Sequence, residues 1–291
     1  MLQYIDWNFD PTLFSIGGFQ LRYYSLTWMA AFVAGYYLFG YILKREGRDI
    51  KLLDNILVYA FLGTLIGSRL GHCIFYEDAA FWRNPLQVLY IWQGGLASHG
   101  AAVGMFVGLW LFSRKYRQPF VWVLDRVILT VPLGGAMIRL GNLFNSEVYG
   151  HPTDLPFAFR FIENLPAWSA GAQPVYSLPS HPTQIYEAVI YTLIFVVLML
   201  IYMRTQTTRR YPGALFGIFL MLLFVSRFMV EHLKLVQDSV DARFMAEWGI
   251  NIGQALSVPF IVAGAIITVM AFRGRFANHT ITDAHGHARH K

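Results

Sequence analysis

Four arginines, Arg69, Arg126, Arg139 and Arg227, fall inside or at the mouths of segments otherwise built from Leu, Ile, Val, Phe, Met and Gly. A guanidinium at mid-bilayer depth costs roughly 3 kcal/mol or more, so an ionisable side chain there marks a functional site by default. Four on one chain point to a bound anion. Polar runs surround them: Gly67–His72; Gly94–Gly100, with Ser98 and His99; Arg139–Gly150, with Asn142, Asn145 and Glu147; and His181–Glu187, where Pro182 suits a first helical position. Arg227 and Glu231, four apart, share a helix face and could pair. Guanidinium planes match phosphate oxygens bidentately, and the abundant phosphate of a bilayer is a phospholipid headgroup. Arg69, His99, Arg139, Asn142 and Arg227 are expected to enter one layer from different helices and form a phosphate pocket.

The elements that must carry these groups are membrane helices. With 56% hydrophobic residues, 14% charged and a mean hydropathy of +0.43, 291 residues hold too little polar surface to cover a soluble globule. Stretches near the roughly 20 apolar residues needed to span a bilayer occur at about 23–43, 53–75, 96–113, 119–140, 184–203, 212–233 and 250–272. The expected fold is an all-α polytopic membrane protein of about seven transmembrane helices, a single integral membrane domain over 1–291. The span ending near Leu140 is the most polar, because Asp125, Arg126 and Arg139 interrupt it.

Basic residues set the orientation. Alternate loops 44–52, 113–120, 204–211 and 273–291 hold fourteen Lys or Arg, against five in 1–22, 76–95, 141–183 and 234–249. The positive-inside rule then puts the carboxyl terminus (273–291) in the cytoplasm and the amino terminus outside. The net charge of +6 is this asymmetry, and no nucleic-acid partner is needed to explain it. The first basic residue is Arg22, after Asp6 and Asp10, so no cleavable signal peptide is expected. Residues 1–22, with Trp7, Phe9, Phe14 and Phe19, read as an external interfacial arm in preference to a substrate gate. Residues 141–183 are long for a loop, and their aromatic content argues for a small folded head outside the membrane, between the fourth and fifth spans.

Other features have plainer readings. Gly63, Gly67 and Gly71, and likewise Gly100, Gly104 and Gly108, repeat every four residues and suit close helix packing better than a ligand role. Asp125 and Arg126 read as a structural pair. The single cysteine, Cys73, excludes internal disulfides and cysteine metal sites; packing is the favoured role, although Arg69 and His72 nearby keep a reactive thiol open. His279, His285, His287 and His290 read as a solvated tail, not a metal tract.

The runs Arg139–Glu147, Gly94–Gly100, His181–Glu187 and Gly253–Pro259 resemble, in their order and spacing, those of the bacterial phosphatidylglycerol–prolipoprotein diacylglyceryl transferases, and the resemblance extends from about Phe9 to Phe272. It implies a multi-pass inner-membrane enzyme that moves the diacylglyceryl group of phosphatidylglycerol onto the lipobox cysteine of a prolipoprotein signal peptide. The products would be a thioether and glycerol 1-phosphate, the first step of lipoprotein maturation. It also places the family's essential histidine at His99 and its signature arginine and asparagine at Arg139 and Asn142. Asn145, Glu147 and Gly150 fall in the same signature, Tyr24 matches a functional tyrosine, and Arg227 with Glu231 match the sixth-span pair. The chain departs from the family pattern at Ala101, Ile138, His151, Leu223 and Lys234, the last standing where arginine is usual.

The chemistry suits these residues. Sulfur must attack the glyceryl carbon and break its bond to the phosphate oxygen, so negative charge grows on the leaving group, and Arg139 and Arg227 are the expected clamp. His99 is the expected general base for a thiol of free pKa about 8.5; the alternative is that His99 binds the headgroup while the arginines or Glu147 manage the proton. Arg69, Asn142, Asn145, Glu147, Gly150, Tyr24 and Glu231 are expected to bind substrate. No metal or organic cofactor is required, since thiolate is a competent nucleophile and phosphate a competent leaving group. The competing readings are a different phospholipid-modifying membrane enzyme and an inactive lipid-binding relative.

Overall fold

The computed structural model describes residues 4–17, 19–77, 85–90, 95, 97–205, 207–235 and 239–276. Among the described residues, two short sheets, β1 (Tyr4–Trp7) with β4 (Ala158–Phe161) and β2 (Thr12–Ile16) with β3 (Phe19–Arg22), accompany a mainly helical chain. The helices are α1 (Tyr23–Arg45), α2 (Lys51–Phe75), α3 (Ser98–Lys115), α4 (Phe120–Val127), α5 (Val131–Phe144), α6 (Leu165–Ser169), α7 (Thr183–Arg204), α8 (Thr207–Arg210), α9 (Ala214–Glu231), α10 (Ser239–Trp248) and α11 (Ile252–Phe272), with a 3-10 turn at Pro85–Leu89.

Among the described residues, α1, α2, α7, α9 and α11 are long and apolar enough to cross a membrane, and α4 with α5 make a sixth if counted as one broken span. The expected count of seven is therefore not reached by this measure. The difference is α3, which occupies the expected third span but has only 18 residues and gives its ends to Ser98, His99, Arg114 and Lys115. The spans bury little of themselves; in α11 only 17% of the apolar window is covered by protein. Exposed Val103, Val107, Leu193, Val262 and Ile266 would drive a soluble protein to aggregate, whereas hydrocarbon is their matching solvent.

The chain forms two compact units, with α1 contributing to both: one holds residues up to Tyr37 and Val127–Phe276, the other Leu38–Arg126. In the second, α2 and α3 meet through their glycines. A Cβ added at Gly67 would run into the carbonyl oxygen of Gly100, and one at Gly104 into that of Gly63. Backbones this close admit no side chain, which is the helix-packing reading of the four-residue glycine spacing. At the other end of this unit, Arg126 Nε lies 3.0 Å from Glu46 Oε1 and its Nη1 3.7 Å from Asp125, while Trp122 donates to Glu46 at 2.8 Å. The charges at 125 and 126 are thus structural, with Glu46 as the nearer partner. Cys73 is fully buried in α2.

In the first unit, α5, α7, α9 and α11 pack in succession. Gly217 of α9 lies against Gly264 and Thr268 of α11, another close approach of backbones. The start of α11 is closed by a capping box: Asn251 accepts from the Gln254 amide at 2.7 Å, and Gln254 Oε1 accepts from the Asn251 amide at 3.1 Å. Between α5 and α7, residues 145–182 fold around β4, which pairs in parallel with β1 in the register Tyr4↔Ala158 to Trp7↔Phe161. Leu143, Phe159 and Phe161 form the core there, joined by Trp7, Tyr149 and Ile185. Trp7 donates its indole N–H to the Leu143 carbonyl at 2.9 Å, tying the amino-terminal arm to the end of α5.

Candidate active site

Arg139 leaves α5 less than two turns before its end, and three carboxylates and two further cations gather around it in the same unit. Its Nη1 donates to Asn142 Oδ1 at 3.3 Å, and Asn142, itself 6% exposed, donates through Nδ2 to Glu147 Oε1 at 2.7 Å. Asn145 Nδ2 reaches the same oxygen at 3.4 Å. The arginine, asparagine and glutamate of the Arg139–Gly150 run are thus linked in one chain of contacts.

The loop that presents Glu147 is bent against its backbone preference. Ser146 (φ 54°) and Val148 (φ 61°) both occupy the left-handed region on either side of it. For β-branched Val148 this is a rare and costly conformation, of a kind that persists only where surrounding contacts impose it. Those contacts come from the start of α7: Thr183 donates to the Val148 carbonyl at 2.8 Å and Gln184 to the Glu147 carbonyl at 2.7 Å. The polar residues of the His181–Glu187 run therefore serve as a clamp for the signature loop. Gly150 is fixed by crowding, since a Cβ there would meet the Leu233 carbonyl, Thr183 and His181.

Glu187 is a residue whose role sequence reasoning missed. Its carboxylate, 1% exposed, lies 3.1 Å from Arg139 Nε through Oε2, and through Oε1 it accepts from Lys234 Nζ at 3.1 Å and from the Tyr191 hydroxyl at 3.3 Å. The Arg139 contact is short but unaligned, so Oε2 receives no hydrogen bond. Lys234 also reaches Glu231 Oε2 at 3.1 Å. Glu231 therefore pairs with Lys234 and not, as the four-residue spacing suggested, with Arg227. Arg227 makes no ion pair among the described residues and lies near enough to Tyr191 to act on its hydroxyl electrostatically. A signal for Glu187 was available: it is the only carboxylate in the otherwise apolar α7.

The remaining expected site residues have separate settings. Tyr24 of α1 lies over Gly141, where an added Cβ would strike its ring and the Thr27 hydroxyl. In the other unit, buried Arg69 donates to the carbonyls of Val88 (3.0 Å), Gln87 (2.6 Å) and Gly95 (3.3 Å), strapping that stretch to α2. His99 is exposed in the first turn of α3. The Gly94–Gly100 run that carries it is only partly within the described residues, and the tail histidines lie outside them.

Two groups of the segment between α5 and α7 titrate away from their ordinary values. Burial, with the Glu163 carboxylate 3.2 Å away, pushes Tyr149 up to about 12. Burial and the neighbouring His151 push His181 down. Among the described residues no cluster of three or more His, Cys, Asp or Glu could hold a metal.

A family-wide sequence description, prolipoprotein diacylglyceryl transferase, matches residues 11–270. The chain belongs to that family. Among relatives, the phosphatidylglycerol–prolipoprotein diacylglyceryl transferase of Porphyromonas gingivalis is 39% identical over 272 residues, covering 93% of this chain and 95% of its own. That of Tolumonas auensis is 38% identical over 266 residues, covering 91% and 96%. That of Bacteroides fragilis is 36% identical over 287 residues, covering 94% and 97%. The Arg139 cluster lies near the end of α5, the start of α7 and the end of α9.

Proposed function

We propose that this membrane enzyme transfers the diacylglyceryl group of phosphatidylglycerol to the lipobox cysteine of prolipoproteins, forming a thioether and releasing glycerol 1-phosphate. Its place is the bacterial inner membrane, with the amino terminus and the 141–183 head on the periplasmic side and the carboxyl terminus in the cytoplasm. The asymmetry of basic residues supports that orientation.

The observation that carries the reading is the state of Arg139. Its guanidinium is held by charge next to Glu187, yet that carboxylate oxygen takes no hydrogen bond from it. Asn142 and Tyr191 take donors from the guanidinium while Glu187 takes none, and for the donors that remain a phosphate oxygen pair is the partner that a planar fork fits best. Arg227, without an ion pair of its own among the described residues, supplies a second positive charge in the same unit.

In the proposed reaction the cysteine sulfur attacks the terminal glyceryl carbon as its bond to the phosphate oxygen breaks. The electron pair goes to the phosphate, where Arg139 and Arg227 stabilise it; the thiol proton goes to a general base, a role for which the His99 imidazole has the chemistry. Preorganised donors of this kind contribute about 10²–10³ in rate each in a water-poor site. Asn142 and Glu147 orient Arg139 and the headgroup, and Tyr24, Asn145, Gly150 and Glu231 of the same unit complete the substrate contacts.

The test incubates the purified chain in detergent with phosphatidylglycerol and a synthetic lipobox peptide, beside an Arg139→Ala variant. A diacylglyceryl mass gain on the peptide cysteine, resistant to hydroxylamine and accompanied by glycerol phosphate, is the expected result, with loss of both in the variant. An acyl-sized, hydroxylamine-sensitive gain would point to a different lipid-modifying reaction, and unchanged lipid and peptide to a binding-only relative.

A further inference from the structure

We infer that Glu187 is a positioning residue for Arg139, held in place by Lys234; the inference rests on the transferase reading above. Four charges alternate in sign across three elements: Arg139 from α5, Glu187 from α7, Lys234 just beyond α9, and Glu231 at the end of α9, with 3.1 Å at each of the three contacts. A carboxylate 1% exposed in an apolar helix is tolerated only when paired, and Glu187 is paired on both sides. Its Oε1 is saturated by Lys234 and Tyr191, so the carboxylate plane is set before Arg139 approaches it.

Lys234 is itself fixed through its backbone. Gly150 and Lys234 form a β-bridge, and His151 donates to the Leu233 carbonyl at 2.8 Å. The lysine thus ties the Glu187 carboxylate to the end of the signature run that begins with Arg139. The Arg139–Glu187 contact is electrostatic and unaligned, whereas a carboxylate whose purpose was to neutralise a buried arginine would take its aligned, bidentate hydrogen bonds. Glu187 therefore restrains where the guanidinium sits without taking a hydrogen bond from it. Outer contacts of this kind change activity by about 10–100-fold when lost, through displacements of an ångström or less in the acting group.

The variants that test this are Glu187→Asp, Glu187→Gln, Lys234→Arg and Lys234→Met, assayed with phosphatidylglycerol and lipobox peptide and normalised to folded, monodisperse protein. Glu187→Asp keeps the charge and withdraws it by one methylene. A positioning role gives a kcat lowered about 10-fold or more with the KM for lipid within about threefold, and near-normal activity in Lys234→Arg but not in Lys234→Met. In a background of Arg139→Lys, Glu187→Asp should cost little further, because the group it positions is gone. Full kcat in Glu187→Asp, with only thermal stability lowered in Glu187→Gln and Lys234→Met, would overturn the positioning role and leave the transferase standing. No transfer by the unsubstituted chain would instead remove the reading on which both rest.

Discussion

Replacing Arg139 by lysine keeps the positive charge and removes the planar fork, so it separates the two things this side chain offers. Arginine here reaches Asn142 through Nη1 at 3.3 Å while Nε sits 3.1 Å from Glu187, and its remaining donors stay on the same rigid plane. A lysine Nζ is one point with three donors, and placed 3 Å or so from Glu187 it would be drawn into the carboxylate and away from the lipid. The loss is then at least one charge-assisted hydrogen bond to phosphate, about 1.5–3 kcal/mol. At about 1.36 kcal/mol per decade this is a fall of roughly 10- to 150-fold in kcat/KM for phosphatidylglycerol. The alanine variant loses charge and fork together and should fall by about 10³ or more. Initial rates of peptide mass gain across a phosphatidylglycerol titration would measure both. A lysine variant within about twofold of the parent would refute the argument, because it would mean that charge alone, not the geometry of the fork, is what the site requires.

Two further expectations bear on the scaffold. Gly67→Val should separate α2 from α3, since the added atoms have nowhere to go but the Gly100 and Gly104 backbones; a fall in yield of folded protein and in thermal stability in detergent is expected, and an unchanged melting profile would count against that contact. His181 is held below its ordinary 6.5 by burial and by His151. Above 6.5 both folded and unfolded forms are neutral there, but as pH drops through 6.5 the unfolded chain takes up a proton that the folded chain resists, so stability falls toward acid pH. Melting temperatures from pH 8 to 5 should show a decline that His181→Gln weakens; identical pH profiles for the two proteins would sink the assignment.

The class of the molecule was legible in composition, because no soluble packing can hide so much apolar side chain. The runs of polar residues inside apolar segments were equally legible, since a charge costs too much there to be present by accident. The glycine spacing told correctly which faces of α2 and α3 meet. The count of seven spans is reached only if α3, a short helix with polar ends, is taken as a span together with the broken pair α4 and α5, because length and composition alone do not place such a helix relative to the membrane.

What composition and spacing could not decide was partnership. Arg227 and Glu231 are correctly spaced to pair, yet Glu231 takes Lys234, and the buried carboxylate beside Arg139 is Glu187, which Lys234 reaches across 47 residues of sequence. Helical periodicity fixes only which side chains share a face; the choice among several cations and carboxylates of similar reach is made by the packing of α5, α7 and α9. Folding likewise gives Arg69 three backbone carbonyls as partners, which its place in an apolar helix did not announce. The same is true of Glu147, presented by left-handed Ser146 and Val148 that no local preference would select. Sequence by itself determined the solvent, the helices and the residues with chemistry to offer; tertiary structure decided which charges neutralise one another, because in a low-dielectric interior that choice depends on distances of a few ångströms between elements far apart in the chain.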